Sequence, residues 1–133
     1  MARRNISVKN IYMKKRESMI NNYIKGYNQF DVAKMVTDFD ETIVFQNISN
    51  GETNLSLTGI QAFREQAENA KQYFSARAQT IKSFVHNNDE TEIEVAYRAI
   101  LAMDFPNGLK KGDELNLTGR SVFKFRGEKI IHL

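Results

Sequence analysis

The stretch that decides the fold is Gly119-Arg-Ser-Val-Phe-Lys-Phe-Arg-Gly-Glu-Lys-Ile-Ile-His-Leu133. Its alternating residues, the turn chemistry at Gly127 and the β-rich Lys129–Leu133 segment predict a long strand, a tight turn and a final strand that closes a curved sheet. Upstream, the same period of two runs through Thr80–His86, Thr91–Phe105 and Leu115–Phe125, joined by Asn87-Asn-Asp89 and by Pro106-Asn-Gly-Leu-Lys-Lys-Gly112. Further back, Thr42–Ile48 and Thr53–Leu57 flank Ser49-Asn-Gly-Glu52, which reads as a hairpin turn. The total is about six strands.

Helices precede and interrupt these strands. Ile20, Tyr23, Ile24 and Tyr27 recur at helical spacing and predict one apolar stripe on a first helix, which Gly26 and Asn28-Gln-Phe-Asp31 bring to an end. Asp31 is placed to cap a short second helix through Val32, Met35 and Val36, followed by an acidic turn over Asp38–Glu41. Thr58-Gly-Ile-Gln61 reads as a capping box for a third helix, whose apolar positions Ile60, Phe63, Ala67, Ala70 and Phe74 keep a helical period to Phe74. Helices first, one helix between hairpins and then long antiparallel strands predict an α+β fold.

Composition narrows the function classes. A chain of 133 residues is one domain's length, and it has no cysteine, which excludes disulfides, thiol nucleophiles and thiolate metal sites. No apolar run approaches the roughly 20 residues that span a bilayer, so a cytoplasmic protein without membrane partners is expected. The net charge of +3 invites a nucleic-acid reading. Its location argues otherwise: Arg3, Arg4, Lys9, Lys14, Lys15 and Arg16 precede the first acid, Glu17, and leave 13 basic against 16 acidic residues beyond. The basicity is therefore a leader over residues 1–16, a partly frayed helix start, and the domain proper is expected over 17–133. No nucleic-acid partner is expected. Scattered acids and two distant histidines give no metal-ligand spacing, so neither a metal nor another cofactor is expected.

The closing hairpin, the Met19–Tyr27 helix and Leu57-Thr-Gly-Ile-Gln-Ala-Phe63 together resemble the cone-shaped nuclear transport factor 2-like superfamily, within it the SnoaL-like and ketosteroid-isomerase-like families. The resemblance implies a curved, mostly antiparallel sheet with two to three helices on its concave face, and a pocket inside the cone. Against the ketosteroid isomerase pattern, Tyr23 takes the place of the tyrosine that donates to a developing oxyanion. Asn47 takes the place of the proton-shuttling carboxylate, and Ser121 that of the protonated aspartic acid. An amide has no usable proton affinity near neutral pH, so ketosteroid isomerisation is not expected. Limonene epoxide hydrolase, another relative, needs an inward arginine, whereas alternation turns Arg98 and Arg120 outward.

The candidate site follows. Tyr23, Tyr27, Asn47, Tyr97, Ser121 and Phe123 are the expected pocket residues. His132 and Asp104 are the candidate catalytic bases, with His86 facing solvent. For Tyr23 and Tyr27 two readings stand, a core tyrosine bonded to a backbone acceptor or a pocket donor. His132 is likewise a structural group or a base. The leading expectation is an apolar cone holding a small, mostly apolar molecule, with proton-transfer chemistry of the isomerase or cyclase type if it is an enzyme. The alternative is a non-catalytic dimerisation or partner-binding module whose cone is filled by Tyr97, Met103, Phe123 and Phe125. In either case Ala96, Ile100, Ala102 and Val122 give the second sheet face an apolar character that fits a homodimer.

Overall fold

A computed structural model describes residues 8–133. The elements run α1 (Val8–Asn28), α2 (Val32–Met35), β1 (Phe39–Ser49), β2 (Glu52–Thr58), α3 (Ile60–Ala70), a 3₁₀ turn (Lys71–Tyr73), β3 (Phe74–Asn87), β4 (Glu90–Leu101), β5 (Glu114–Arg126) and β6 (Lys129–His132). The strands form one sheet of order β2-β1-β6-β5-β4-β3. All neighbours are antiparallel except β1 and β6. The α+β architecture is as expected from the periodicities.

The apolar stripe of α1 drives the packing. Met19, Ile20, Tyr23 and Ile24 are buried against Ile93, Phe123 and Ile130 of the sheet. Gly26 lets α2 approach, since a Cβ there would lie 2.8 Å from the Met35 nitrogen. Asp31 caps α2 as expected, its carboxylate accepting from the Lys34 amide at 3.0 Å. The β1–β2 turn places Asn50 and Gly51 at φ 52° and 77°, the two positive values that a tight hairpin of matching twist requires.

Several local expectations differ from the structure. Helix α1 begins at Val8 and runs through the 16/17 boundary, with Arg16 over the Phe125 ring and Lys15 paired to Glu128. Residues 8–16 of the leader are thus the mostly exposed start of α1, while residues 1–7 lie outside the described residues. No capping box forms at α3: its N-cap is Gly59 at φ 94°, and Thr58 remains in β2. The helix stops at Ala70, so β3 starts at Phe74 rather than near Thr80. β4 ends at Leu101, and Met103 is exposed in the following loop instead of filling the cone. Phe105 folds back from that loop onto Tyr73 and Phe74, at 6.0 and 6.4 Å between ring centroids.

Bulges account for the remaining differences. A register shift between Ile81 and Ser83 adds one residue to β3 and inverts its alternation, so that Arg77, Gln79 and Ile81 share the inner face with Phe84 and His86 while Lys82 turns out. His86 consequently does not face solvent. Its Nδ1 lies 2.9 Å from the Thr91 hydroxyl and its Nε2 2.7 Å from Glu17, tying α1 to the sheet. On β5, Phe123 and Phe125 are buried, but Leu117 is 56% exposed although it shares their face. The four-residue β6 pairs with β5 only from Lys124 to Arg126, so the first part of β5 borders an open edge.

Candidate functional site

That open edge leads into a cavity of about 660 Å³ between the helices and the sheet. Its floor is aromatic. Tyr23 stacks on Phe39 at 5.7 Å and meets Phe123 edge-on at 5.7 Å, and Phe63 packs edge-on against Phe39 at 4.9 Å and Phe45 at 5.2 Å. Ala67 and Ala70 of α3 present only methyl groups, which is what leaves the space open.

The expected pocket residues divide into two groups. Tyr23, Tyr27, Asn47, Ser121 and His132 line the cavity. Asn47 is exposed, beside a bulge between Asn47 and Ile48, while Ser121 and His132 are half-buried. Phe123 is fully buried in the core beneath it. Tyr97 stands one layer behind Tyr27, their hydroxyls 2.8 Å apart. Asp104 does not reach the cone: it is exposed, accepting from the Lys111 amide at 2.9 Å and lying 3.9 Å from the Lys110 ammonium. Arg98 and Arg120 point out as alternation required, pairing with Glu114 and Glu92, although Arg120 also borders the cavity mouth.

The Tyr23 hydroxyl makes no hydrogen bond to any described residue, yet only 7% of the residue is exposed. Burial, and next the neighbouring Tyr27, push its pKa well above the ordinary 10.0, with Arg77 opposing. Tyr97 is shifted the same way, by burial and then by its bond to Tyr27. Both phenols therefore stay protonated at neutral pH. A neutral phenol with a free O–H at a cavity wall is a hydrogen-bond donor suited to a carbonyl oxygen or an enolate, not a proton acceptor.

The most unusual residue of the site is one that sequence reasoning passed over. Arg77 on β3 is only 6% exposed and lines the cavity. Its Nε donates to the Tyr27 carbonyl at 2.8 Å, closing the C-terminal end of α1 where the helix dipole favours a cation. Its guanidinium lies 3.8 Å from the Tyr27 ring centroid and 4.4 Å from that of Phe30. Phe30 sits at φ 58°, a conformation that costs a bulky residue of order 1 kcal/mol, and the stack on Arg77 helps to hold it. Asn28 locks the same corner by donating to the Gln79 carbonyl at 3.0 Å and accepting from its amide at 2.7 Å. One nitrogen of Arg77, Nη2, is buried with no hydrogen-bond partner among the described residues. The signal was an arginine in phase with Gln79 and Ile81. It was hidden because Arg77 falls between the helix read to Phe74 and the strand read from Thr80.

Comparison with known proteins agrees with this fold. A candidate SnoaL-like polyketide cyclase from Jannaschia sp. CCS1 superposes with a TM-score of 0.76 at 9% identity, covering 99% of this chain and 87% of that one. IdmH, a candidate polyketide cyclase from Streptomyces antibioticus, gives 0.70 at 12% identity over 87% of this chain and 86% of its own. A protein of ketosteroid isomerase-like fold from Catenulispora acidiphila, solved with trimethylamine, gives 0.71 at 14% identity over 86% and 80%. At these identities the likeness establishes the fold. No curated protein sequence matches. The family model described as SnoaL-like domain matches residues 20–133, from the α1 stripe to the last strand, and the chain belongs to the SnoaL-like domain family.

Proposed function

We propose that the cone binds a small, mostly apolar molecule bearing a carbonyl or enol oxygen, and that it assists proton transfer of the isomerase or cyclase kind. The observation that carries this reading is the unbonded Tyr23 hydroxyl at the wall of a cavity large enough for a bicyclic or tricyclic compound. In this scheme Tyr23 donates to the oxygen that becomes negative when a neighbouring C–H loses its proton. His132 is the acceptor, being the histidine that lines the cavity, and Asn47 has no proton affinity to offer. The descriptions of several structural neighbours as polyketide cyclases support the reaction class. The rival, a cone plugged by its own side chains, is less well supported because Met103 lies outside and the cavity stays open beside Phe123. Two copies are proposed to meet through the outer sheet face, where Val122 is exposed and Ala96, Ile100 and Ala102 are half-buried; light scattering should then give twice 15.4 kDa.

The test uses 2-tetralone, whose activated C1 proton exchanges with D₂O through an enolate, followed by proton NMR. The protein should accelerate exchange over buffer, and His132→Ala should remove the acceleration. Tyr23→Phe should slow it and weaken 2-naphthol binding by about 0.5–1.5 kcal/mol, the worth of one neutral hydrogen bond. Ala70→Trp, which fills the cavity, should abolish both. Exchange no faster than in buffer would remove the catalytic part of the reading. Undiminished naphthol binding by Ala70→Trp would remove the pocket.

A further inference from the structure

We propose that Arg77 is an anion-binding subsite of the cone, so that the ligand carries a carboxylate on its apolar body. The proposal rests on the pocket reading above and specifies what enters. Folding takes the guanidinium almost completely out of water, which is tolerated only when its charge and its donors are answered. The charge is answered by the nearby rings of Tyr27 and Phe30, and Nε by the Tyr27 carbonyl. Nη2 is not: it is buried and unpartnered, and no carboxylate lies within ion-pair distance of Arg77 among the described residues.

Glu90 is the acid among the cavity-lining residues, and it is exposed and makes no ion pair with Arg77. A planar guanidinium packed on two rings, with Nε already engaged, is a fork held in one orientation. A carboxylate matches that fork better than a neutral carbonyl does, because charge-assisted bonds are shorter and stronger. The Asn28–Gln79 lock and the Tyr27–Tyr97 bond keep this corner rigid before any ligand arrives. Little ordering is then left for binding to accomplish.

The test compares 2-naphthoate with its neutral isostere 2-naphthamide by calorimetry at neutral pH, on the full chain. The wild type should bind naphthoate about tenfold or more tightly than naphthamide, the usual margin of a charged over a neutral hydrogen bond. Arg77→Gln should erase that preference, chiefly by weakening naphthoate, and Arg98→Gln, at an exposed arginine outside the cavity, should leave it intact. If Arg77→Gln does not fold, Arg77→Lys serves in its place: it keeps the charge without the fork, and the preference should fall severalfold. Equal affinities for the two probes in the wild type would overturn the anion subsite and leave the pocket standing. A preference that survives substitution of Arg77 would also overturn it. If naphthoate and naphthamide both fail to bind, the pocket reading falls and this inference with it.

Discussion

The two ends of the cone are built on opposite principles. At the closed end, Ile20, Ile93, Phe123, Ile130 and Thr91 are sealed from water, and even the one histidine there, His86, is tied on both ring nitrogens. At the open end, Tyr23, Arg77, Asn47 and His132 surround a cavity with hydrogen-bonding capacity left over. Among the described residues, the first end leaves no buried side-chain nitrogen or oxygen without a partner, as stability demands. The second leaves hydrogen-bonding groups of two buried side chains unpaired, and the proposed binding site rests on those groups. Core and site are separated by burial rather than by position along the strands: on β5 Phe123 is sealed, while Ser121, two residues away and opposite Ile93, lines the cavity.

Substitutions should respect that separation. Phe123→Ala strikes the closed end, where the ring is fully buried and edge-on to Tyr23, and should cost about 3–5 kcal/mol in urea denaturation. A loss under 1 kcal/mol would mean that the closed end is not the core. Alkaline pH probes the boundary between the two ends. The folded pKa of Tyr23 is raised above the unfolded value of 10.0, so its contribution is fully present below pH 10 and is lost as pH rises through that value toward the folded one. Stability should fall by up to about 1.4 kcal/mol per pH unit from this group, and Tyr23→Phe should flatten the fall. An unchanged slope in that variant would place the loss elsewhere.

Much of the closed end was legible in the sequence, because burial imposes periodicity. The stripe Ile20, Tyr23, Ile24, Tyr27 and the alternation Ile93, Val95, Tyr97, Ala99, Leu101 each follow one regular element. The open end was legible only in part. Tyr23, Asn47, Ser121 and His132 were placed from the family resemblance, and they do line the cavity. Arg77 escaped because it falls between the predicted helix and strand, and His86 because a bulge at Ile81/Ser83 reversed the parity of β3, which no propensity announces. Asp104 was read as strand, yet the chain leaves β4 at Leu101 and Asp104 holds the loop through the Lys111 amide instead.

Smaller effects sharpen the same contrast. Tyr27→Phe removes the partner of the Tyr97 hydroxyl at the open end and should cost about 1 kcal/mol, measured by urea titration. Tyr97→Phe should cost a similar amount, and a double variant less than the sum of the two if they act through one bond. Deleting residues 1–9 should barely move the melting temperature, since Val8 is 65% exposed and Lys15 to Glu128 and Arg16 over Phe125 tie the helix to the sheet further on. A loss of several degrees would show that the first residues pack on the domain.

The central claim, that the open end is a binding cavity and the closed end its support, is tested most directly by a ¹⁵N-resolved NMR titration with 2-naphthol. The account predicts saturable shifts clustered at Tyr23, Asn47, Ala67, Ala70 and Arg77, with Thr91, Ile93 and Phe123 unmoved. Shifts spread over exposed residues such as Val85 and Leu117, or no saturable shift at millimolar naphthol, would contradict it.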